Sequence, residues 1–189
     1  MRSTYQTLYR IGLRPWDSDR IPPELAAVAD GAGERTPRVA VDLGCGTGAQ
    51  ARYLAGLGWR VTAVDYIPQA IARARQGDPG GLVRWRLADV TEPERVDPDG
   101  ALAGRTRLVL DNGCLHGVPT RLRTGWAATV NRLAAGDADL LIRAAPPGPR
   151  WPGPAGIAAA TITALLGDGW TASTPPAPGW HHYRRQTSE

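Results

Sequence analysis

The sequence predicts an α/β fold: a mostly parallel sheet with helices on both faces. Three observations point to it. Strand-like and helix-like segments alternate along most of the chain. Val39-Ala-Val-Asp-Leu43 is a continuous apolar run broken only by its acid, as expected for a strand buried on both faces, and it runs into Gly44-Cys-Gly-Thr-Gly48. Acids stand at or just after the ends of the first four predicted strands: Asp42, Asp65, Asp89 and Asp111. A parallel sheet puts all its carboxyl ends on one side, so these carboxylates should gather at one rim, where ligands of such sheets bind.

The elements follow in order. Residues 1–37 read as a polar lead segment with a short helix at Pro23–Ala29. After the first strand, Thr47–Leu57 reads as a helix stopped by Gly56 and Gly58. Arg60–Asp65 is the second strand, Pro68 suits a first helical position, and Gly77 ends that helix. Leu82–Leu87 alternates Val83, Trp85 and Leu87 with Arg84 and Arg86, the pattern of an exposed edge strand. Glu92–Gly104, rich in Pro, Asp and Gly, reads as a loop with little helix. Arg107–Asp111 is the fourth strand. Leu122, Trp126, Val130 and Leu133 share one face of a helix over Thr120–Ala135, closed by Gly136. Leu140–Ala145 is the fifth strand, and the proline-rich run 146–154 cannot be regular structure. Ile157, Thr161, Ile162 and Leu165 mark a last helix. Trp170–Ser173 and Trp180–Arg184 complete seven strands in one domain spanning 1–189.

Composition narrows the chemistry. All 22 basic residues are arginine, which excludes a lysine Schiff base and a Gly-Lys-Ser/Thr phosphate loop. The net charge of +4 is carried by scattered arginines rather than a clustered stripe, so nucleic acid is not an expected partner. Two cysteines are too few for a disulfide scaffold. Cys45, Cys114 and His116 lack metal-ligand spacing, so no metal is expected. No apolar run is long enough to span a bilayer and the N-terminus lacks a secretion signal, so a cytoplasmic monomer is the expectation.

A dinucleotide site calls for Gly-x-Gly-x-x-Gly, but here Gly44, Gly46 and Gly48 alternate and Ala49 stands at the third position. Asp42 brings negative charge to the turn. That is poor for a pyrophosphate and apt for a ligand carrying an ammonium group, so an NAD(P)-dependent oxidoreductase is the weaker alternative.

Val41-Asp-Leu-Gly-Cys-Gly-Thr-Gly48 resembles the first motif of class I S-adenosylmethionine-dependent methyltransferases. The likeness continues in Val61-Thr-Ala-Val-Asp65-Tyr-Ile-Pro, in Leu87-Ala-Asp89-Val90 and in Leu108-Val-Leu-Asp111-Asn-Gly-Cys-Leu-His116. It implies a Rossmann-like three-layer sandwich that binds S-adenosylmethionine and acts on a small molecule. It also implies roles. Gly44, Gly46 and Gly48 line the methionine moiety, with Asp42 orienting its amino group. Asp65 takes the ribose hydroxyls, Tyr66 or Ile67 packs on the adenine, and Asp89 and the Val90 N–H read its edge. Cys45, Thr47, Asp111 and Asn112 complete the cofactor set.

Tyr9-Arg-Ile-Gly-Leu-Arg-Pro-Trp16-Asp17, with Asp111-Asn-Gly-Cys-Leu-His-Gly-Val-Pro119, is similar to small thiopurine- and tellurite-type methyltransferases. This narrower likeness implies that residues 1–37 form a lid with Trp16 as its aromatic anchor, and that the acceptor is a thiol or similar. The chain departs from it at Ala135-Gly136-Asp137 and in the proline-rich 146–154 loop.

His116 is the only histidine in the central motifs and is the candidate that orients or deprotonates the acceptor. Cys114 follows a glycine rather than a proline and reads as a small buried residue, not a nucleophile. His181 and His182 read as structural or exposed. Arg121, Arg123, Arg143 and Arg150 follow the fourth and fifth strands. Arg150, in the proline-rich loop beside Trp151, would favour an anionic substrate if that loop forms part of the acceptor pocket; the alternative is a solvated surface loop. A cofactor-binding protein without catalysis remains the alternative from another class.

Overall fold

The computed structural model describes residues 20–31, 37–148, 156–173 and 177–186. One sheet of seven strands organises them, in the order β3-β2-β1-β4-β5-β7-β6. The strands are β1 (Val39–Leu43), β2 (Arg60–Asp65), β3 (Val83–Leu87), β4 (Thr106–Asn112), β5 (Ala134–Arg143), β6 (Trp170–Ala172) and β7 (Trp180–Arg185). All neighbouring pairs are parallel except those made by β7, which runs antiparallel between β5 and β6. The strand order reverses between β1 and β4, which makes their carboxyl ends the switch point where a ligand crevice opens.

Burial explains the strand sequences. All five positions of β1 are buried because helices cover both faces. On one face Ala40, Leu108, Leu110 and Leu141 pack with Leu25, Leu54 and Ile71 from α1 (Pro23–Gly31), α2 (Ala49–Gly56) and α3 (Pro68–Gln76). On the other, Val41, Leu43, Val109, Leu140 and Ile142 pack with Val96, Trp126, Val130 and Ile162 from α4 (Pro93–Val96), α5 (Arg123–Leu133) and α6 (Ala159–Leu166). Each fully buried leucine or isoleucine here contributes about 1.5–3 kcal/mol through removal of its surface from water. The three-layer sandwich expected from the sequence is therefore present. β3 is an edge strand, with Val83 buried and Arg84 and Leu87 exposed. No helix among the described residues is long and apolar enough to cross a membrane.

The segment read as loop with little helix carries one helical turn, Pro93–Val96, anchored by Val96, which is fully buried. Two expectations change in detail. The helix read over 120–135 divides into a 3₁₀ turn at Thr120–Leu122 and α5 proper. The chain then enters β5 at Ala134 with no loop, so Gly136 lies within a strand and not at a helix end. The β4–β5 register jumps there from Thr106↔Ala134 to Leu108↔Asp139. A glycine inside such an irregularity is a common strand feature, and sequence alone does not separate it from a helix stop. Trp16 and Arg150 lie outside the described residues.

Candidate active site

A cavity of about 880 Å³ opens at the carboxyl ends of the strands. It is within the size range of small-molecule and cofactor sites, and large enough to take a cofactor and an acceptor together. Among the expected residues, Gly44, Cys45, Gly46, Asp65, Tyr66, Ile67, Asp89, Val90, Asn112 and His116 line it. Asp42, Thr47, Gly48 and Asp111 do not.

The glycine turn is built by close approach. Gly44 and Cys45 both donate their N–H groups to the Val64 carbonyl, at 2.8 and 3.0 Å, tying the turn to β2. At Gly48 φ is +82°, and a Cβ would stand 2.2 Å from the Trp85 ring. At Gly44 φ is +76°, and a Cβ would stand 2.6 Å from the Cys114 Cβ. Glycine is required at both positions by backbone and by space.

Each acid has its own environment. Asp65, nearly buried at the end of β2, accepts from the Gly46 N–H (3.0 Å) and the Ile67 N–H (2.9 Å). It thereby fixes the glycine turn against the loop after β2. Asp89 accepts from the Thr91 N–H (2.9 Å) and hydroxyl (2.7 Å), which shapes the turn after β3. Asp111 accepts from the Cys114 N–H (2.8 Å), the Leu115 N–H (3.0 Å) and the Trp126 indole N–H (2.9 Å). It thus holds the loop that carries His116. Burial still outweighs those donors and raises its carboxyl to about 6.

Asp42 is the exception. It is 1% exposed, and its Oδ2 has no hydrogen-bond partner. Burial, with the charges of Asp111 and Asp65, pushes its carboxyl up to about 8. A buried carboxyl without a donor is costly, and a ligand ammonium would relieve that cost. The fit of this site to S-adenosylmethionine rests on that orphaned oxygen behind the turn, on the Gly44–Gly46 backbone that lines the cavity without bulky side chains, and on the Asp65 carboxylate at the end of β2.

The thiols of Cys45 and Cys114 are both pushed up, by burial and by the surrounding carboxylates. Neither is a thiolate nucleophile. His116 sits in a 3₁₀ turn, Leu115–Gly117, beside the cavity, and its Nδ1 accepts from the Ala145 N–H at 3.4 Å. His182 pairs with Asp139 at 2.9 Å, away from the cavity lining, in keeping with a structural role. No cluster of metal-ligating side chains occurs among the described residues.

Sequence reasoning missed part of the lining. Arg20, Ile21, Pro22, Pro23 and Glu24 enter from the start of α1, and Trp180 enters from β7. Trp180 reaches the site because β7 folds back beside β5 in the register Arg143↔Trp180. No local signal in the sequence announces that pairing.

Residues 41–101 match the family model described as a methyltransferase domain. The 2-heptyl-1-hydroxyquinolin-4(1H)-one methyltransferase of Mycobacteroides abscessus is 28% identical over 131 residues, which cover 68% of this chain and 54% of that protein. The chain thus spans about half the length of that curated relative. Among solved structures, one reported for conversion of a disulfide bond into a thioacetal group during echinomycin biosynthesis superposes with a TM-score of 0.76 at 22% identity. That match covers 99% of this chain and 93% of the other. The 1,6-didemethyltoxoflavin-N1-methyltransferase of Burkholderia thailandensis, bound to 1,6-didemethyltoxoflavin and S-adenosylhomocysteine, gives 0.70 at 24% identity, covering 99% and 87%. The chain has the Rossmann-like topology of the S-adenosylmethionine-dependent methyltransferases, and its residues 41–101 match the methyltransferase-domain family model.

Proposed function

We propose that this protein transfers a methyl group from S-adenosylmethionine to a small-molecule acceptor that needs no strong base, a thiol or a similarly acidic group. The observation that carries the reading is the orphaned, buried Asp42 oxygen behind the glycine turn, with Asp65 beside it on β2. The cofactor's sulfonium supplies both the methyl group and the leaving group. The residues of the chain bind, orient and exclude water.

Asp42, buried one rung behind the cavity wall, supplies the negative charge that favours the ammonium end, the Gly44–Gly46 backbone leaves room for the methionine chain, and Asp65 takes the ribose hydroxyls. Tyr66, Ile67, Asp89 and Val90 enclose the adenine. His116 faces the acceptor. Its Nδ1 accepts a hydrogen bond from the Ala145 N–H, so the neutral ring carries its own proton on Nε2. Such a ring donates a hydrogen bond to the acceptor and orients it, but it does not remove the acceptor's proton. An acceptor already ionised near neutral pH suits that arrangement. Two of the similar methyltransferases act on planar heterocycles, a hydroxyquinolinone and a didemethyltoxoflavin. An acceptor of that shape agrees with the Trp180 wall.

Isothermal titration with S-adenosylmethionine and S-adenosylhomocysteine tests the cofactor. Labelled-methyl transfer to thiols, phenols, N-hydroxy heterocycles, amines and chalcogen oxyanions tests the reaction. Absence of binding to both adenosyl compounds rejects the reading, and binding without transfer to any acceptor favours a non-catalytic partner or sensor. His116→Ala should lower kcat/KM by about tenfold to a hundredfold, the worth of one hydrogen bond to a charged group. His116→Gln, which can still donate, should recover part of it.

A further inference from the structure

The sheet register places one row of side chains along the cavity floor. Asp42 pairs with Ala63 of β2 and Leu110 of β4. Two residues further along each strand stand Gly44, Asp65 and Asn112, on the same face of the sheet because strand side chains alternate. Asn112 pairs with Arg143 of β5, and Arg143 pairs with Trp180 of β7. Asp65, Gly44, Asn112, Arg143 and Trp180 therefore form one rung across five strands, and all five line the cavity.

The rung has two unlike halves. Asp65 lies at the β2 end, beside Asp89, and supplies negative charge. Arg143 lies three strand spacings away, about 14 Å. No ion pair or hydrogen bond engages its guanidinium among the described residues. Glu24 and Arg20 also line the cavity, from the start of α1, and no ion pair joins Glu24 to Arg143. Beside Arg143 stands Asn112, whose Oδ1 is buried without a partner. Trp180, 5% exposed, forms the adjoining wall, and the Ala145 N–H next along the chain holds His116.

This inference rests on the proposed methyl transfer. With the adenosyl group over β2 and β3 and the methionine over the glycine turn, the β4–β5–β7 half is left for the acceptor. We infer that the acceptor is an anion lying flat against Trp180, that Arg143 binds its charged group, and that the atom receiving the methyl faces His116. Arg143 is thus the residue that sets substrate charge. A guanidinium presents a planar fork to a carboxylate or an ionised heteroaryl oxygen, and it stays charged at every working pH. The unpartnered Asn112 Oδ1 beside it is an acceptor, so it takes an N–H or O–H of the substrate and not its anionic group.

The test uses the full chain and matched probes: 2-, 3- and 4-mercaptobenzoate and the corresponding hydroxybenzoates, each against its methyl ester. Affinity is measured by titration into the S-adenosylhomocysteine complex, and turnover by labelled-methyl transfer. At least one acid should bind and be methylated with kcat/KM about tenfold or more above its ester, as one charge-assisted contact supplies. Arg143→Met should erase that preference through KM, Arg143→Lys should restore part of it, and Arg143→Glu should invert it. S-adenosylhomocysteine affinity, read at the far half of the rung, serves as the folding control for each variant. The inference is overturned if esters match or exceed acids throughout, if no acid is bound or methylated, or if Arg143→Met keeps the preference. Failure of the wild-type chain to bind S-adenosylhomocysteine is a separate result, and it rejects the methyl-transfer reading itself.

Discussion

Asp42 shows most clearly how one residue can be kept against the interest of stability. Its folded-state carboxyl is raised to about 8, from an ordinary value near 4 in the unfolded chain. Folding therefore takes up a proton between those values. The stability this group contributes is fully present below the unfolded pKa and is lost as pH rises through the folded one. Asp42→Asn removes the penalty while keeping the shape. At pH 7.5 the ligand-free variant should unfold at a temperature several degrees above the wild type, an effect on the order of 1–3 kcal/mol, with the gap closing toward pH 4. Its affinity for S-adenosylhomocysteine should fall about tenfold, since a neutral amide cannot neutralise the ammonium. Opposite movements of stability and affinity mark a residue retained for binding. A second measurement follows from the same group. Wild-type affinity should rise from pH 6 to 7.5 as the bound state recruits the ionised carboxylate, and that slope should flatten in Asp42→Asn.

Elements set the geometry that these residues need. The turn between β1 and α2 was legible because its glycines are dictated locally by φ and by space, and the Asp–glycine spacing is a compact signal. What the turn packs against was not legible. Trp85, whose indole N–H is held by Asp78 at 3.0 Å, closes over Gly48 from an edge strand that also reads as half exposed. Gly48→Ala would drive a methyl into that ring and strain a left-handed backbone. It should cost about 1–3 kcal/mol in chemical denaturation and weaken cofactor binding, because the turn must shift. The β4–α5 connection behaves in the same way. Asp111 gathers two backbone N–H groups and the Trp126 indole, so Trp126→Phe leaves the carboxylate short of one buried donor. A loss of about 1–3 kcal/mol is expected in urea denaturation, with a fall in turnover as the His116 loop loosens. The helix limit at Ala135 was misread for an element-scale reason: periodic apolar residues do not show where a helix gives way directly to a strand.

For the whole molecule, the parallel sheet converts separate motifs into one site. The carboxyl ends of β1, β2 and β4, distant in sequence, meet at the switch point because the strand order reverses there. A ligand that bridges these strands should stabilise the fold as a unit. S-adenosylhomocysteine at a hundred times its Kd should add about 2.7 kcal/mol to unfolding by mass action, seen as a rise in Tm. NAD and NADP should give none, since the glycine spacing and Asp42 oppose a pyrophosphate. A Tm rise with NADP and none with S-adenosylhomocysteine would point instead to the dinucleotide reading.

The sequence by itself determined the fold class, the seven strands, the glycine turn and the acids at the strand ends, and so the cofactor expectation. These are local or periodic signals, written in residues within a few positions of one another. Tertiary structure decided which of those acids face the cavity and which sit behind it. Asp65 and Asp89 line it, whereas Asp111 projects to the opposite face of the sheet and Asp42, on the same face as Asp65, lies one rung back where the helices cover it. It also decided the half of the cavity proposed for the acceptor. Arg143 and Trp180 become neighbours only because β7 inserts antiparallel beside β5, and that pairing comes from register across the sheet rather than from any pattern along the chain.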